Sequence, residues 1–263
     1  MEKAPVSVEI LTFNNEMTIE ATLKSVLLFD EILVIDGGST DRTLDIARHY
    51  GAKILAQDEK AKLDGRIADF SLVRNQGLGV AKHRWFLFID SDEMLTPELA
   101  AEIRGIAAAE QPLFYAWNVP RKYVLKGAVI DCATTYPNMQ MRFFHREHIG
   151  TFVKQVHERV LPNPGETVGA LKHHMLVPLP PQRALWEKWQ RYLTIEEKRW
   201  QGVSRRGLLV KIFNALKPIA LYFVRLPWVL FCGGRRMPMF YEIAYQRYNL
   251  SVLLRLVRHF LWN

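Results

Sequence analysis

The sequence predicts an α/β protein that is built on a parallel sheet and followed by a helical extension. The first half of the 263-residue chain alternates short apolar segments with segments of helical periodicity, and polar loops separate them. This alternation is typical of a parallel α/β sheet. The last third is rich in Lys, Arg and aliphatic runs. We therefore expect a sheet domain at 1–175 and a basic, amphipathic helical extension at 176–263.

Four apolar segments of the first half have the length and the β-branched or aromatic content of buried strands. They cover residues 6–13, 31–35, 52–56 and 85–89. Helices are expected at 18–28, from Ser39 or Thr40 to 50, and at 70–80. A further helix should begin after Thr96, which is a suitable N-cap before Pro97 and Glu98.

Polar loops follow three of the predicted strands, at 14–16, 36–41 and 90–93. The carboxyl ends of parallel strands meet at one edge of a sheet, where ligands bind. The loop after the first strand, TFNNEMT, contains neither a GxGxxG nor a GxxxxGK[ST] phosphate-binding motif. A diphosphate bound at this edge would therefore depend on a metal ion for charge neutralisation.

The segment FLFIDSDEM, residues 86–94, leads an apolar strand directly into three acids. Asp90 and Asp92 flank a small residue, so both carboxylates can turn toward one point and hold a hard divalent cation. The simpler alternative is that the acids only solvate a loop. Their convergence with the other two polar loops favours a binding site.

Six stretches of the sequence together resemble one enzyme family. VSVEILTFNNE, ILVIDGGSTDRT and DFSLVRNQGLGVAKHRWFLFIDSDE, in this order and spacing, resemble the nucleotide-sugar half of family 2 glycosyltransferases. PRKY, YPNMQMRFFHR and VHERV, which follow at 120–160, resemble the bacterial branch that adds sugars to the lipopolysaccharide inner core. The resemblance implies a GT-A sandwich and inverting transfer of a hexose from a UDP-linked donor to a lipopolysaccharide-core or other lipid-linked acceptor.

The resemblance also assigns residues to the pocket for the nucleotide. Asp36 would accept a hydrogen bond from the imide N–H of the uracil ring, which suits a carboxylate. Phe13 and Glu16 would line the same base and ribose pocket. Relatives often carry a second acid directly after the first, where this chain has Gly37, so one contact with the nucleotide is absent.

Further donor-side residues follow from the same resemblance. Arg74 and Asn75 would face the pocket and tie its loops together. Asp92 would bind Mg²⁺ or Mn²⁺ directly, while Asp90 would lie toward the ribose or a metal-bound water. His157 would complete the metal shell, as a late His does in related enzymes.

The acceptor-side residues match the pattern of the family less closely than the donor-side residues do. Inverting transfer needs a carboxylate that takes the acceptor's proton, and relatives place an acid where this chain has Asn138. Glu158 is therefore the expected base, with Asp131 as the other nearby acid. Gln140 and Arg142 would position the acceptor or a phosphate, although Arg142 could equally form a structural ion pair.

The charge of the chain is concentrated in its tail. Residues 182–263 contain 15 Lys and Arg against 4 Asp and Glu, whereas the remainder contains 20 against 23, which together give the net charge of +8. The apolar segment 207–232 is interrupted by charges and prolines, so we expect interfacial helices on an anionic membrane surface and no bilayer span. A plain helical subdomain is the alternative. Nucleic acid is disfavoured because long aliphatic runs separate the basic residues.

Cysteine usage and the N-terminus suggest where the protein acts. Cys132 and Cys232 lack metal-ligand spacing and are expected to be reduced packing residues. The opening MEKAPVSVEILTF lacks the layout of a signal peptide. We therefore expect a cytoplasmic protein that is peripheral on the inner face of the cytoplasmic membrane.

Two other functions remain open at this stage. A metal-dependent nucleotidyltransferase also uses a divalent cation on an α/β sheet, but it should carry a Gly-rich basic loop after the first strand. A membrane-bound scaffold with the same fold and weakened catalysis would be consistent with Asn138.

Overall fold

Twelve strands and seven α-helices lie within the residues that this computed structural model describes, 2–63, 66–153 and 159–262. The strands are β1 (Ala4–Thr12), β2 (Phe29–Asp36), β3 (Lys53–Ala56), β4 (Lys62–Leu63), β5 (Arg66–Ile67), β6 (Trp85–Asp90), β7 (Met94–Leu95), β8 (Ala116–Leu125), β9 (Ala128–Val129), β10 (Asn138–His145), β11 (Val168–Ala170) and β12 (Met175–Pro178). The helices are α1 (Ile19–Ser25), α2 (Thr43–His49), α3 (Phe70–Val80), α4 (Pro97–Ala107), α5 (Gln182–Lys198), α6 (Arg205–Leu230) and α7 (Met239–Trp262).

The chain divides into two compact units. The first unit comprises Met1–Lys122 and Pro137–Pro178, and the second comprises Tyr123–Tyr136 and Leu179–Asn263. The main sheet of the first unit runs in the order β3-β2-β1-β6-β10-β8. Its first four strands pair in parallel, whereas β10 pairs antiparallel with both β6 and β8. The expected α/β class with a C-terminal helical extension is confirmed.

The predicted strands of the first half are all present, and their ends differ from the prediction by at most two residues. The helix at 70–80 and the Thr96 N-cap are also confirmed, because the Thr96 hydroxyl accepts a hydrogen bond from the Leu99 N–H at 3.3 Å. The expected cap at Ser39 or Thr40 is wrong. Helix α2 begins only at Thr43, since the Ser39 hydroxyl donates to the Asp36 carboxylate at 2.5 Å and stays in the loop.

Helix α3 approaches β1 closely at Gly77. A Cβ atom at this position would lie 2.8 Å from Cδ of Glu9, which is fully buried in the middle of β1. Replacing Gly77 with Ala should therefore lower the free energy of unfolding by about 1–3 kcal/mol, in spite of the higher helix propensity of Ala. Urea unfolding measures this change.

Gly79 provides the matched control for Gly77, because it lies in the same helix and a Cβ there would meet no atom within 4 Å. Gly79→Ala should leave the free energy of unfolding unchanged or raise it by up to about 1 kcal/mol. Equal effects of the two substitutions would contradict the close approach of α3 to β1.

The second unit gathers the loop 123–136 with the C-terminal helices. Asp131 N–H donates to the Arg235 carbonyl at 2.8 Å, and Thr134 N–H donates to the buried Glu242 carboxylate at 2.9 Å. Cys132 and Cys232 are joined by a disulfide, with a Cα–Cα distance of 6.6 Å. The expectation of two reduced packing residues is thus wrong, because packing brings together two positions that lie 100 residues apart.

Helix α6 is continuous over 26 residues although Pro218 and Pro227 lie inside it. The sequence suggested a segment broken by charges and prolines, but packing through Leu208, Tyr222 and Val229 maintains the helix. By length and composition α6 is long and apolar enough to cross a membrane, with a mean hydropathy of 1.5 in its most apolar window. The expectation that no part of the tail is long and apolar enough to cross a membrane is therefore wrong.

Candidate active site

The candidate site lies at the carboxyl edge of the parallel strands. β1 pairs with β2 on one side and with β6 on the other, and the chain reaches β3 before it returns to β6. This reversal of strand order is a topological switch point, where α/β sheets open a crevice for ligands. The three polar loops predicted from the sequence follow β1, β2 and β6 at this point.

The loops after β1 and β2 are connected by hydrogen bonds. Asn14 has a left-handed backbone with φ of 51°, and its N–H donates to the Ser39 hydroxyl at 2.9 Å. The Asn14 side chain accepts from the Thr40 N–H at 2.8 Å. The Glu16 carboxylate accepts from the Arg42 N–H at 3.1 Å, so its visible role is to join the two loops. That Glu16 also lines the nucleotide pocket stays a prediction.

Asp41 supports the same junction. Its two carboxylate oxygens accept the N–H groups of Glu16 at 3.1 Å and of Thr43 at 3.0 Å. Desolvation acts in the opposite direction, but the hydrogen bonds from Thr43 and from the Glu16 backbone hold the pKa of Asp41 below its ordinary value.

Asp36 ends β2 and is buried. Its Oδ2 accepts the N–H groups of Gly38 at 2.8 Å and Ser39 at 2.9 Å, and its Oδ1 accepts the Ser39 hydroxyl at 2.5 Å. These bonds orient the carboxylate. Since a carboxylate oxygen has two lone-pair directions, Oδ1 retains acceptor capacity for one further donor.

Two residues beside Asp36 were not anticipated from the sequence. Gln57, directly after β3, is buried, and its amide donates to the carbonyls of Thr12 at 3.4 Å and Ile35 at 3.3 Å. Lys62 Nζ donates to the Gly37 carbonyl at 3.3 Å. The position of Gln57 at a strand end was the available signal, whereas nothing in the sequence near Lys62 indicated its contact.

Gly37 has close side-chain neighbours. A Cβ there would lie 3.1 Å from both Cδ2 of Phe13 and Oε1 of Gln57. The second acid that relatives carry at this position would therefore crowd both side chains. Phe13 itself is 50% exposed and presents an apolar surface beside Asp36.

A buried Arg74 connects the centre of the sheet with the acidic loop. Its Nη1 contacts the Glu9 carboxylate at 3.0 Å and donates to the Ile89 carbonyl at 3.2 Å. Its Nη2 contacts Oδ1 of Asp90 at 2.5 Å. Arg74 and Glu9 are fully buried, whereas the Asp90 side chain is 45% exposed. Arg74 therefore neutralises a buried acid and orients an exposed one.

Glu93 receives two further guanidinium groups. Arg142 Nη2 lies 3.3 Å from Oε1 of Glu93 and 3.6 Å from Oδ2 of Asp90, and Arg121 pairs with the same Glu93 oxygen. Glu93 also accepts the Asp90 N–H at 3.1 Å, and Gln140 accepts from Arg142 Nε at 3.2 Å. Arg142 therefore forms the structural ion pair that the sequence left open. A role for Gln140 and Arg142 toward acceptor or phosphate stays a prediction.

Asn75 joins α3 to the segment that contains Phe152. Its amide nitrogen donates to the Phe152 carbonyl at 3.0 Å, and its amide oxygen accepts the Phe152 N–H at 2.8 Å. This two-bond clamp agrees with the expected function of tying loops together. The contact of Asn75 with a nucleotide stays a prediction.

The residue between the paired acids is held rigidly. Ser91 is buried, its N–H donates to the Leu11 carbonyl at 3.2 Å, and its carbonyl accepts the hydroxyls of Thr18 and Thr22 at 3.0 Å each. The Asn15 amide donates to the Ser91 hydroxyl at 2.5 Å. The loop that carries Asp90 and the exposed Asp92 is thus anchored to β1 and α1.

Asp92 offers one exposed carboxylate to a divalent metal ion. Both oxygens of Asp90 face guanidinium groups, which suits a contact with a ribose or a water better than direct metal binding. In the described part of the chain no group of three His, Cys, Asp or Glu side chains could hold a metal. Mg²⁺, however, typically takes only one or two carboxylates and completes its shell with water and substrate phosphates. The exposed carboxylate of Asp92 meets that need.

Some of the expected acceptor-side residues lie outside the described part of the first unit. His157 and Glu158 lie outside the described residues. Asp131 belongs to the second unit, where its carboxylate accepts the Arg235 N–H at 2.9 Å. Asn138 begins β10, opposite Arg121 in the strand pair. The assignments of the base and of the second metal ligand therefore stay predictions.

Comparison with known proteins finds similarity to glycosyltransferases in the N-terminal part of the chain. Residues 7–124 match the model of the family described as glycosyl transferase family 2. An uncharacterized glycosyltransferase of Rickettsia bellii is 34% identical over 116 residues, which are 43% of this chain and 37% of that protein. The putative glycosyltransferase EpsH of Bacillus subtilis is 30% identical over 149 residues, 52% of this chain and 40% of that protein. The match agrees with the expected family over residues 7–124, which are less than half of the chain.

The similarity covers only part of the length of the related proteins. The chain spans less than half the length of the curated relatives it matches, such as the TPR repeat-containing protein Synpcc7942_0270 of Synechococcus elongatus, of which it covers 29% at 36% identity. Among solved structures, glucosyl-3-phosphoglycerate synthase from Mycobacterium tuberculosis, in complex with Mn²⁺, UDP and glucosyl-3-phosphoglycerate, has a TM-score of 0.45 at 20% identity. That similarity covers 70% of this chain and 75% of the synthase.

Proposed function

We propose that this chain, whose residues 7–124 match the family 2 glycosyltransferase model, transfers a hexose from a UDP-linked sugar with inversion at the anomeric carbon. The observation that carries the proposal is the rigid acidic loop at the switch point. Ser91 is anchored on both sides, Asp90 is fixed by Arg74, and Asp92 is exposed. A loop that only solvated a strand end would not need this support.

The nucleotide would lie across the loops after β1 and β2. The oriented Asp36 carboxylate would accept the imide N–H of uracil through Oδ1, and Phe13 would cover a face of the base. Lys62, whose ammonium contacts both the Gly37 carbonyl and the Glu59 carboxylate, would lie near the same loop. A base that presents only an acceptor to Asp36 would be disfavoured, since two acceptors would face each other.

The diphosphate would lie toward the loop after β6. Mg²⁺ or Mn²⁺, when bound, would neutralise the diphosphate and the charge that develops on the leaving UDP. Asp92 would hold the ion, and His157 is the proposed second ligand. Asp90 would contact the ribose or a metal-bound water, since Arg74 and Arg142 fix its direction.

The acceptor is proposed to be a lipopolysaccharide core or another lipid-linked glycan. The inner face of the cytoplasmic membrane is proposed as the site of action, although the Cys132–Cys232 disulfide removes the argument from reduced cysteines. Support for the acceptor comes from the resemblance of the segments at 120–123, 136–146 and 156–160. In this proposal the buried ion pairs of Arg121 and Arg142 with Glu93 keep the strands β8 and β10 in place beneath the acceptor.

The proposal is tested by release of UDP from a panel of UDP-hexoses in the presence of Mn²⁺ or Mg²⁺. We expect metal-dependent release with at least one sugar, and a shift of the melting temperature by the same sugar in a thermal-shift panel. Asp36→Ala should weaken binding of UDP-sugars without loss of the fold. If no nucleotide sugar binds in either assay, the proposed function is wrong.

The catalytic base gives a separate prediction. Glu158→Gln preserves size and hydrogen bonding but removes basicity, so turnover should fall by about 10²–10⁴-fold while the affinity for the donor changes little. Steady-state kinetics with saturating and limiting donor separate the two effects.

Asp131→Asn is the control for Glu158→Gln, and its effect should be milder. An inactive Asp131 variant beside a nearly normal Glu158 variant would reverse the two roles. A sharp rise of activity in Asn138→Asp would mean that the chain lacks the base of its relatives, and the weakened scaffold would then be the better description.

A further inference from the structure

One face of helix α6 packs within the second unit, and the opposite face is apolar and exposed. The packed stripe repeats every three or four residues and includes Leu208, Tyr222 and Val229. The side chains of the outer face recur with the same spacing on the opposite side of the helix. Its exposed side chains include Val210, Phe213, Leu221, Val224 and Trp228, of which Phe213, Val224 and Trp228 are 64%, 74% and 58% exposed. Monomeric soluble proteins rarely leave a contiguous apolar face of this kind in water.

The charge around this face has a single sign. Residues 199–241 contain eight Lys and Arg and no Asp or Glu. Arg206 lies at the beginning of α6, and Arg235 and Arg236 follow its end. Lys217 lies in the middle of the outer face with its ammonium 5.3 Å from the centre of the Phe213 ring. An apolar stripe with basic residues at its ends and centre is complementary to an anionic lipid surface.

The same charges argue against the two other occupants of this face. Two copies of the chain packed through their outer faces would bring basic groups together without any acid to pair with them. A helix that crossed the bilayer would place Lys217 near the centre of the hydrocarbon, because it lies midway along the 26 residues of α6. A helix that lies in the interface lets the lysine ammonium reach the headgroups while Phe213 stays among the acyl chains.

We propose that the outer face of α6, defined by Val210, Phe213, Leu221, Val224 and Trp228, lies in the interface of an anionic bilayer. The loop 123–136 would be held close to that surface, because the disulfide and the Thr134–Glu242 hydrogen bonds attach it to α6 and α7. This proposal does not depend on the sugar-transfer chemistry.

The proposal is tested by co-sedimentation of the full chain with vesicles of phosphatidylcholine alone or mixed with phosphatidylglycerol. The chain should bind the anionic vesicles and show little binding to the neutral ones. The triple variant Phe213→Gln, Val224→Gln, Trp228→Gln should lose at least about 100-fold in affinity, since three side chains no longer enter the apolar layer. These side chains are exposed, so circular dichroism should report an unchanged fold.

A matched control replaces three exposed apolar side chains of the first unit, Leu113→Gln, Leu161→Gln and Val168→Gln. This variant should bind vesicles as the original chain does. If both triple variants lose affinity for vesicles to the same extent, the outer face of α6 is not the membrane-binding surface.

The electrostatic part is tested by a second triple variant, Arg206→Gln, Lys217→Gln and Arg235→Gln. Its affinity for anionic vesicles should fall by about 100-fold, since each basic residue near such a surface contributes several-fold. A variant with Lys3→Gln, Lys53→Gln and Lys172→Gln removes the same charge elsewhere and should bind normally. Equal binding to neutral and anionic vesicles would overturn the proposed lipid class.

Two measurements distinguish the occupants of the face. Carbonate at high pH should extract the full chain from the vesicles, and retention would overturn the interfacial position in favour of a spanning helix. In sedimentation velocity without lipid, the original chain should not form a dimer through this face. A dimer of that kind would be recognised because the Phe213, Val224 and Trp228 substitutions abolish it. Such a dimer would overturn the bilayer as the occupant in favour of a second copy of the chain.

Discussion

Replacing Arg74 with Met should lower the free energy of unfolding by about 3–5 kcal/mol, because it leaves a buried carboxylate without its cation. Glu9 and Arg74 are both fully buried in the centre of the first unit, and Nη1 of Arg74 lies 3.0 Å from the Glu9 carboxylate. The same guanidinium contacts Asp90 at 2.5 Å. The variant should therefore lose UDP-sugar turnover as well as stability. Urea unfolding and UDP release measure the two effects.

A second substitution, at Glu9, separates the loss of stability from the loss of turnover. Glu9→Gln in the Arg74→Met background removes the carboxylate charge that has lost its guanidinium partner, so much of the lost unfolding free energy should return. Turnover should stay low, because Asp90 still lacks the group that orients it. If Arg74→Met unfolds at the same urea concentration as the original chain, the buried pair does not stabilise the sheet as we infer. If the double variant recovers full turnover, Arg74 does not act through Asp90.

Asp92→Asn should abolish sugar transfer and metal-dependent UDP binding while it leaves the fold intact. The substitution removes the one exposed carboxylate of the loop after β6 that we assign to the metal. An amide carries no negative charge, so a hard cation loses its anionic ligand while the size of the side chain is preserved. Because Asp92 is exposed, the variant should remain folded, which circular dichroism checks.

Isothermal titration of UDP with and without Mn²⁺ measures this change directly. Asp45→Asn is the charge-matched control, since Asp45 is an exposed acid of α2 that pairs only with the neighbouring helical residue Arg48 among its described contacts. It should bind UDP and transfer sugar normally. Unchanged activity in the Asp92 variant would contradict the metal site, whereas loss in both variants would indicate a general charge effect.

The sequence by itself determined the class of the fold and the place of the site. Four apolar strand segments and their connecting helices are local patterns, and the ends of the strands were within two residues of those observed. Thr96, Pro97 and Glu98 marked the start of α4 because capping depends on neighbouring residues alone. The order of strands and polar loops sufficed to place Asp36, Asp90 and Asp92 at one edge of the sheet. These features follow from chain periodicity and local hydrogen bonding.

Only the tertiary structure decided which residues that lie far apart in the sequence come into contact. The buried pair of Glu9 and Arg74 joins positions 65 residues apart, and the disulfide of Cys132 and Cys232 joins positions 100 apart. No local pattern indicates such partners, because the partner is selected by the packing of a helix on a strand or of a loop on a helix. The continuity of α6 through Pro218 and Pro227 has the same origin. Its packed stripe stabilises the helix where its own sequence does not, because burial of apolar side chains exceeds the local cost of each proline.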